Sequence, residues 1–201
     1  MKKIIVLTAA LSTAFLFSCE DDLNTKFLSE EEQAVIMDDA ASDNVIEAVD
    51  YEIDFYSSSS DIINGINDGA KKSTHWPRWR YVDGEGPTVT VDPIGWAYPK
   101  TITIDYGEGI ELINGRVISG QIVIDVSDRP RKDGATREVT YEDFHVDSVH
   151  VEGGATRTFA GTDSTERIFN NVSNLTLTFP DSTVIYRNSE RTRTLVDGFE
   201  T

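Results

Sequence analysis

The stretch Thr101-Ile102-Thr103-Ile104-Asp105-Tyr106-Gly107 alternates polar and apolar residues and stops at a glycine. On an extended chain that order puts Ile102, Ile104 and Tyr106 on one face and Thr101, Thr103 and Asp105 on the other. The period of two recurs at Ile122, Ile124 and Val126, and again at Leu175, Leu177 and Phe179. Between Tyr141 and Phe144 the apolar parity changes, which predicts a bulge near Glu142-Asp143, with Val149 and Val151 continuing beyond it. Gly107-Glu108-Gly109, Asn114-Gly115, Asp133-Gly134, Gly153-Gly154, Pro180-Asp181-Ser182 and Asp197-Gly198 punctuate these runs with turn chemistry. The expected fold is mainly β: about eight to ten antiparallel strands in a sandwich or long curled sheet.

Upstream the period becomes helical. Val45, Ile46, Val49, Ile53 and Tyr56 recur at three- and four-residue spacing, with Asp43, Glu47, Asp50 and Asp54 between them. Ser29 followed by Glu32 is a capping-box spacing. One or two acidic amphipathic helices are expected across 29–56, with Val35 and Ile36 on one side and the stripe lying against the β-domain or a partner. The tetraserine at 57–60, Asn64-Gly65 and Asp68-Gly69 mark a linker over 57–72. That leaves 73–201 as the β-domain, in which Thr201 follows strand-like sequence with no evident closing element.

The chain starts with Lys2-Lys3, fourteen uncharged residues from Ile4 to Phe17, and Ser18-Cys19. A basic start, a short apolar core and a small residue at the cut site read as an export signal over 1–18. The apolar run is below the roughly 20 residues that span a bilayer. Cys19 is the chain's single cysteine, so no intrachain disulfide can form and stability must come from packing.

Net charge is −17. Residues 20–70 hold fifteen acids against one base, Lys26, while 71–201 hold twenty against fifteen. Such an acidic arm repels nucleic acid and anionic head groups, so nucleic-acid binding is excluded as an expectation.

Leu16-Phe17-Ser18-Cys19 resembles the lipobox of bacterial lipoproteins. "YPKTITIDYGEGIELINGRVISGQIVIDV", "VTYEDFHVDSVHVEGGATRTF" and "SERTRTLVDG" together resemble a recurrent family of β-rich Bacteroidota lipoproteins without an established activity. The shared features are Pro99 before a Thr/Ile strand, Asp105-Tyr106-Gly107, Gly115-Arg116, Gly120, and Ser189-Glu190-Arg191-Thr192-Arg193. The resemblance implies lipidation at Cys19 and anchoring of the β-domain at the outer membrane, facing the surface or the periplasm. Glu20-Asp21-Asp22, opening an acidic tether over 19–28, resembles the signal that sends such lipoproteins to the outer face. It supplies no catalytic residues. Asp147-Ser148-Val149, Asp163-Ser164-Thr165 and Asp181-Ser182-Thr183 resemble the O-glycosylation motif of exported Bacteroidota proteins, making Ser148, Ser164 and Ser182 candidate acceptors. "NVS" and "NLT" at 171–176 fit the eukaryotic acceptor pattern and are discounted on this background.

The candidate ligand-binding feature is "HWPRWRYV", 75–82, in which Trp76, Arg78, Trp79, Arg80 and Tyr81 offer flat aromatic faces and guanidiniums to an acidic glycan. The competing reading packs these residues on the acidic helix, with arginines paired to its carboxylates. No metal or cofactor is expected. His145 and His150, five apart on extended chain, face opposite ways unless a turn intervenes. Asp125, Asp128 and Asp133 offer oxygen ligands, but Arg129, Arg131 and Lys132 sit among them and favour a charged turn. Gly-x-Ser-x-Gly does not occur. The leading expectation is a lipid-anchored, non-enzymatic envelope protein that binds a protein or glycan. The alternative is a glycan-acting hydrolase or glycan-binding surface lipoprotein using the 75–82 segment.

Overall fold

The computed structural model describes residues 29–58, 80–95, 97–129, 132–161 and 167–195. The export signal, Cys19, the acidic tether, the expected linker from 59 on, Trp76, Arg78, Trp79, Trp96 and Ser164 lie outside the described residues, while Ser57 and Ser58, expected in the linker, continue the helix. One helix, α1 (Glu30–Ser58), precedes eight strands: β1 (Thr88–Asp92), β2 (Lys100–Asp105), β3 (Ile110–Glu111), β4 (Val117–Val126), β5 (Thr136–Val146), β6 (Val149–Phe159), β7 (Arg167–Thr178) and β8 (Val184–Leu195). The strands form one antiparallel sheet in the order β1-β2-β4-β5-β6-β7-β8, with β3 paired to β4. It is a single open sheet with α1 as its second layer, so of the two expected arrangements the sheet holds and the sandwich does not.

The capping box forms as spelled. The Glu32 backbone N–H donates to Ser29 Oγ at 3.2 Å, and the Ser29 N–H donates back to Glu32 Oε2 at 2.8 Å. Ser42, Val45, Val49, Glu52, Ile53 and Tyr56 are all buried along one stripe of α1. Val35, Ile36 and Met37 near its start are exposed. The stripe packs on the apolar inner face of the sheet, built from Val89, Val91, Ile102, Ile104, Ile118, Ile122, Ile124, Val151 and Leu177. Burying such side chains at roughly 1.5–3 kcal/mol each is what holds helix and sheet together.

The parity change in β5 is a bulge. Thr140 pairs with Gly154 and Phe144 with Val151, so three β5 residues face two on β6. On the other side the register with β4 shifts between Ser119 and Gln121. Asp143 sits in the bulge with φ 46°. Gly120 of β4 lies against it with φ 79°, and a Cβ there would come within 2.1 Å of the Asp143 carbonyl oxygen. The bulge therefore needs glycine as its neighbour. It also lets both Tyr141 and Phe144 reach the core, where their rings lie 5.5 Å apart.

Candidate functional site

Acids on α1 meet arginines on the sheet. Arg137 of β5 and Arg157 of β6 both donate to Asp54 Oδ1, at 2.9 and 3.2 Å. Arg187 of β8 bridges to Asp39 Oδ1 at 2.6 Å and Asp43 Oδ1 at 2.9 Å, and donates to Ser42 Oγ at 2.7 Å. Desolvation would raise the Asp54 carboxyl, but the Arg137 hydrogen bond and the charges of Arg137 and Arg157 outweigh it and hold it below its ordinary range. Period two explains the arginine array. On β8, Ile185, Arg187, Ser189, Arg191 and Arg193 share one face, and on β7 Asn171 and Ser173 share the face of Leu175 and Leu177. The inner face is thus apolar at one end and cationic toward the β7–β8 edge.

Where α1 ends its cover, a cleft of about 230 Å³ remains between the helix and β5–β8. Arg191, Arg193, Asn171, Asn188, Ser189 and Asp50 line it, among others. Arg191 and Arg193 are exposed and make no ion pair among the described residues. Of the lining carboxylates, Asp43 is held by Arg187, while Asp50 has no ion pair among the described residues. The cleft can thus accept a small anionic group on its guanidiniums and hydroxyls on its amides, serine and Asp50.

A second acid–arginine contact is closed to solvent. Glu52 is 1 % exposed and takes the Arg80 guanidinium in an ion pair and the Tyr106 hydroxyl in a 2.6 Å hydrogen bond. Tyr56 and Tyr81 hydrogen-bond through their hydroxyls. The Arg80 guanidinium lies 4.8 Å from the Tyr51 ring centroid and 4.5 Å from that of Phe55. Burial first, then the Glu52 charge, push the Tyr106 phenol well above its ordinary value, so it stays a donor. Arg80 and Tyr81 are anchored on their backbone as well: the Ile113 N–H donates to Arg80 O at 3.0 Å, and Tyr81 bridges to Leu112.

These facts place the sequence candidates. Arg80 and Tyr81 are buried in the helix–sheet seam, so neither presents a face to a ligand; burial against α1 is the reason. Ser148 and Ser182 are exposed in the β5–β6 and β7–β8 turns. Asp128 pairs with Lys132 as a charged turn would. His145 and His150 do not face opposite ways, because a turn does intervene. Asp147-Ser148 is a tight turn, so the two histidines are cross-strand partners on one face with rings stacked at 4.6 Å. The residues missed from sequence are Arg191 and Arg193, and the signal was available in their shared parity with Ile185. No family model matches the chain, and no curated protein or solved structure is significantly similar to it.

Proposed function

We propose that this is a lipid-anchored cell-envelope protein, tethered to the outer membrane through Cys19, whose β-domain binds an acidic glycan in the α1–β8 cleft. The observation that carries the binding role is the pair Arg191 and Arg193, exposed beside Asn171, Asn188 and Ser189 without an ion-pair partner among the described residues. Arg137, Arg157 and Arg187 on the same face are committed to α1. The cleft is smaller than the roughly 300–1,000 Å³ pockets that hold drug-sized ligands, which suits one uronic-acid ring of a longer chain. Anchoring is supported by the apolar run ending at Ser18-Cys19 and by the chain's having no other cysteine. No helix among the described residues is long and apolar enough to cross a membrane.

Binding accounts for the cleft better than hydrolysis does. Glycoside hydrolysis ordinarily uses two carboxylates across the scissile bond. Of the acids lining this cleft, Asp43 is tied to Arg187, leaving Asp50 alone. The test is retention of the protein on polygalacturonate with dextran as the neutral control. Wild type is retained by polygalacturonate and released by salt, and Arg191→Glu/Arg193→Glu loses about tenfold or more in affinity, the scale of one or two charge-assisted hydrogen bonds. Equal retention of variant and wild type, or equal retention on dextran, refutes the assignment of this cleft.

A further inference from the structure

On the sheet face away from α1, the β5–β6 hairpin gathers a set of donors that the binding cleft does not use. The turn at Asp147-Ser148 pairs Val146 with Val149 and His145 with His150. Phe144, Val146, Val149 and Val151 all point into the core, so alternation forces both imidazoles to the outer face, where each is half-buried. The turn is tied down twice to β4: the Val117 N–H donates to Asp147 Oδ1 at 2.9 Å, and the Asp147 N–H donates to Val117 O at 2.6 Å.

The bulge adds a carboxylate. Asp143, in its left-handed conformation beside Gly120, has its carbonyl oxygen 3.0 Å from His145 Nδ1. Donor atoms of Asp143, His145 and His150 all lie within 4.8 Å of one another. Glu152, two residues beyond His150, places Oε2 3.8 Å from His150 Nδ1. Two imidazoles and a carboxylate are the donor set of borderline divalent transition ions, whereas calcium and magnesium take oxygen shells. Tetrahedral zinc with bonds near 2.0–2.1 Å needs donors about 3.3 Å apart. Binding therefore draws the donors together by up to about 1.5 Å.

We propose that Asp143, His145 and His150 form a zinc-class metal site, with Glu152 close enough to complete or orient it and water taking any remaining position. The site is built on two strands whose register is fixed by the core beneath them, so the imidazole separation is set before metal arrives. The overall charge of −17 raises the local concentration of divalent cations around the chain.

The test is calorimetric titration of Zn²⁺ and Ni²⁺ into the full chain carrying Cys19→Ser, without an affinity tag, so that neither a thiol nor added histidines compete. Expected is one saturable Zn²⁺ per chain, insensitive to equimolar Mg²⁺. Losing even an outer-shell partner costs roughly 10–100-fold in metal affinity, so His145→Gln/His150→Gln loses about 100-fold or more. Asp143→Asn loses less. A second readout needs no variant: Zn²⁺ protects His145 and His150, but not His75, from acylation by diethyl pyrocarbonate. Unchanged zinc affinity in the double variant overturns the site, as does wild type without a one-to-one binding step or without selective protection of the two histidines.

Discussion

Glu52→Gln destabilises the fold by about 3–5 kcal/mol, the usual cost of removing one partner from a buried ion pair. The side chains of Glu52 and Arg80 are 1 % and 7 % exposed, so the guanidinium left behind cannot recover solvation from water. Arg80 Nη1 already has no hydrogen-bond partner, which leaves the remaining bonds to Glu52 little in reserve. The aromatic rings of Tyr51 and Phe55 hold the cation's flat faces but accept no N–H bond in the plane of the fork. At roughly 2–4 °C per kcal/mol for a chain of this size, the melting temperature falls by about 6–20 °C. Urea unfolding measures the free-energy loss, and a thermal scan the shift in melting temperature. The double variant Glu52→Gln/Arg80→Met loses less than the two single changes together, because neither leaves a charge stranded. A Glu52→Gln midpoint within error of wild type shows that the pair is not closed to water.

Gly120→Ala is the second large effect, expected at about 3 kcal/mol or more, since a left-handed conformation costs an L-residue roughly 1–2 kcal/mol and the clash adds to it. The added Cβ meets backbone, the Asp143 carbonyl oxygen at 2.1 Å and the Glu142 carbonyl oxygen at 2.8 Å, and neither can swing away as a side-chain tip would. Gly107 supplies the control. It too has positive φ, 59°, yet a Cβ there meets nothing within 4 Å. Gly107→Ala therefore costs only the conformational part, about 1–2 kcal/mol. Urea midpoints of the two variants separate strain from collision. Equal losses at both positions contradict the close approach of β4 to the bulge.

Much of this fold was legible because period two and period 3.6 leave distinct marks. Ile102, Ile104 and Tyr106 announced their face, and the parity change between Tyr141 and Phe144 announced the bulge with Asp143 inside it. Ser29 and Glu32 announced the start of α1. Glu52 was lost among fifteen acids in residues 20–70, although it falls in phase with Val45, Val49 and Tyr56, and a carboxylate on an apolar stripe needs a buried cation. Its partner was legible as one of two readings, the one that pairs arginines of 75–82 with helix carboxylates, and Arg80 with Glu52 is that pair. Arg80 and Tyr81 look like ligand-binding residues in a Trp/Arg-rich string, but the pairing of Tyr81 with Leu112 is a long-range contact that no local pattern reports. The histidines show how spacing misleads. Five residues apart means opposite faces along one strand, yet around a two-residue turn it means direct cross-strand partners.

The charge asymmetry also acquires a structural meaning. The acidic arm and the β-domain's arginines are two sides of one seam: Asp39 and Asp43 meet Arg187, Asp54 meets Arg137 and Arg157, and Glu52 meets Arg80. Most of the exposed pairs contribute little each, about 0–1 kcal/mol, and serve mainly to orient α1 over the apolar face that supplies the adhesion. Arg191 and Arg193 lie toward the far end of β8, beyond Arg187 and its two α1 carboxylates, and there the seam opens into the cleft.

The glycan reading requires that the domain be held outside the cytoplasm by Cys19. The measurement that decides this is protease treatment of intact cells producing the full chain, beside a Cys19→Ala variant, with membrane and soluble fractions assayed for both. Wild-type chain is expected in the membrane fraction, with the variant released into the soluble fraction. Cleavage by external protease while a periplasmic marker survives further assigns the outer face; protection assigns the periplasmic face. Wild-type chain recovered in the soluble fraction alongside Cys19→Ala, with residues 1–18 still attached, contradicts the anchored envelope protein altogether.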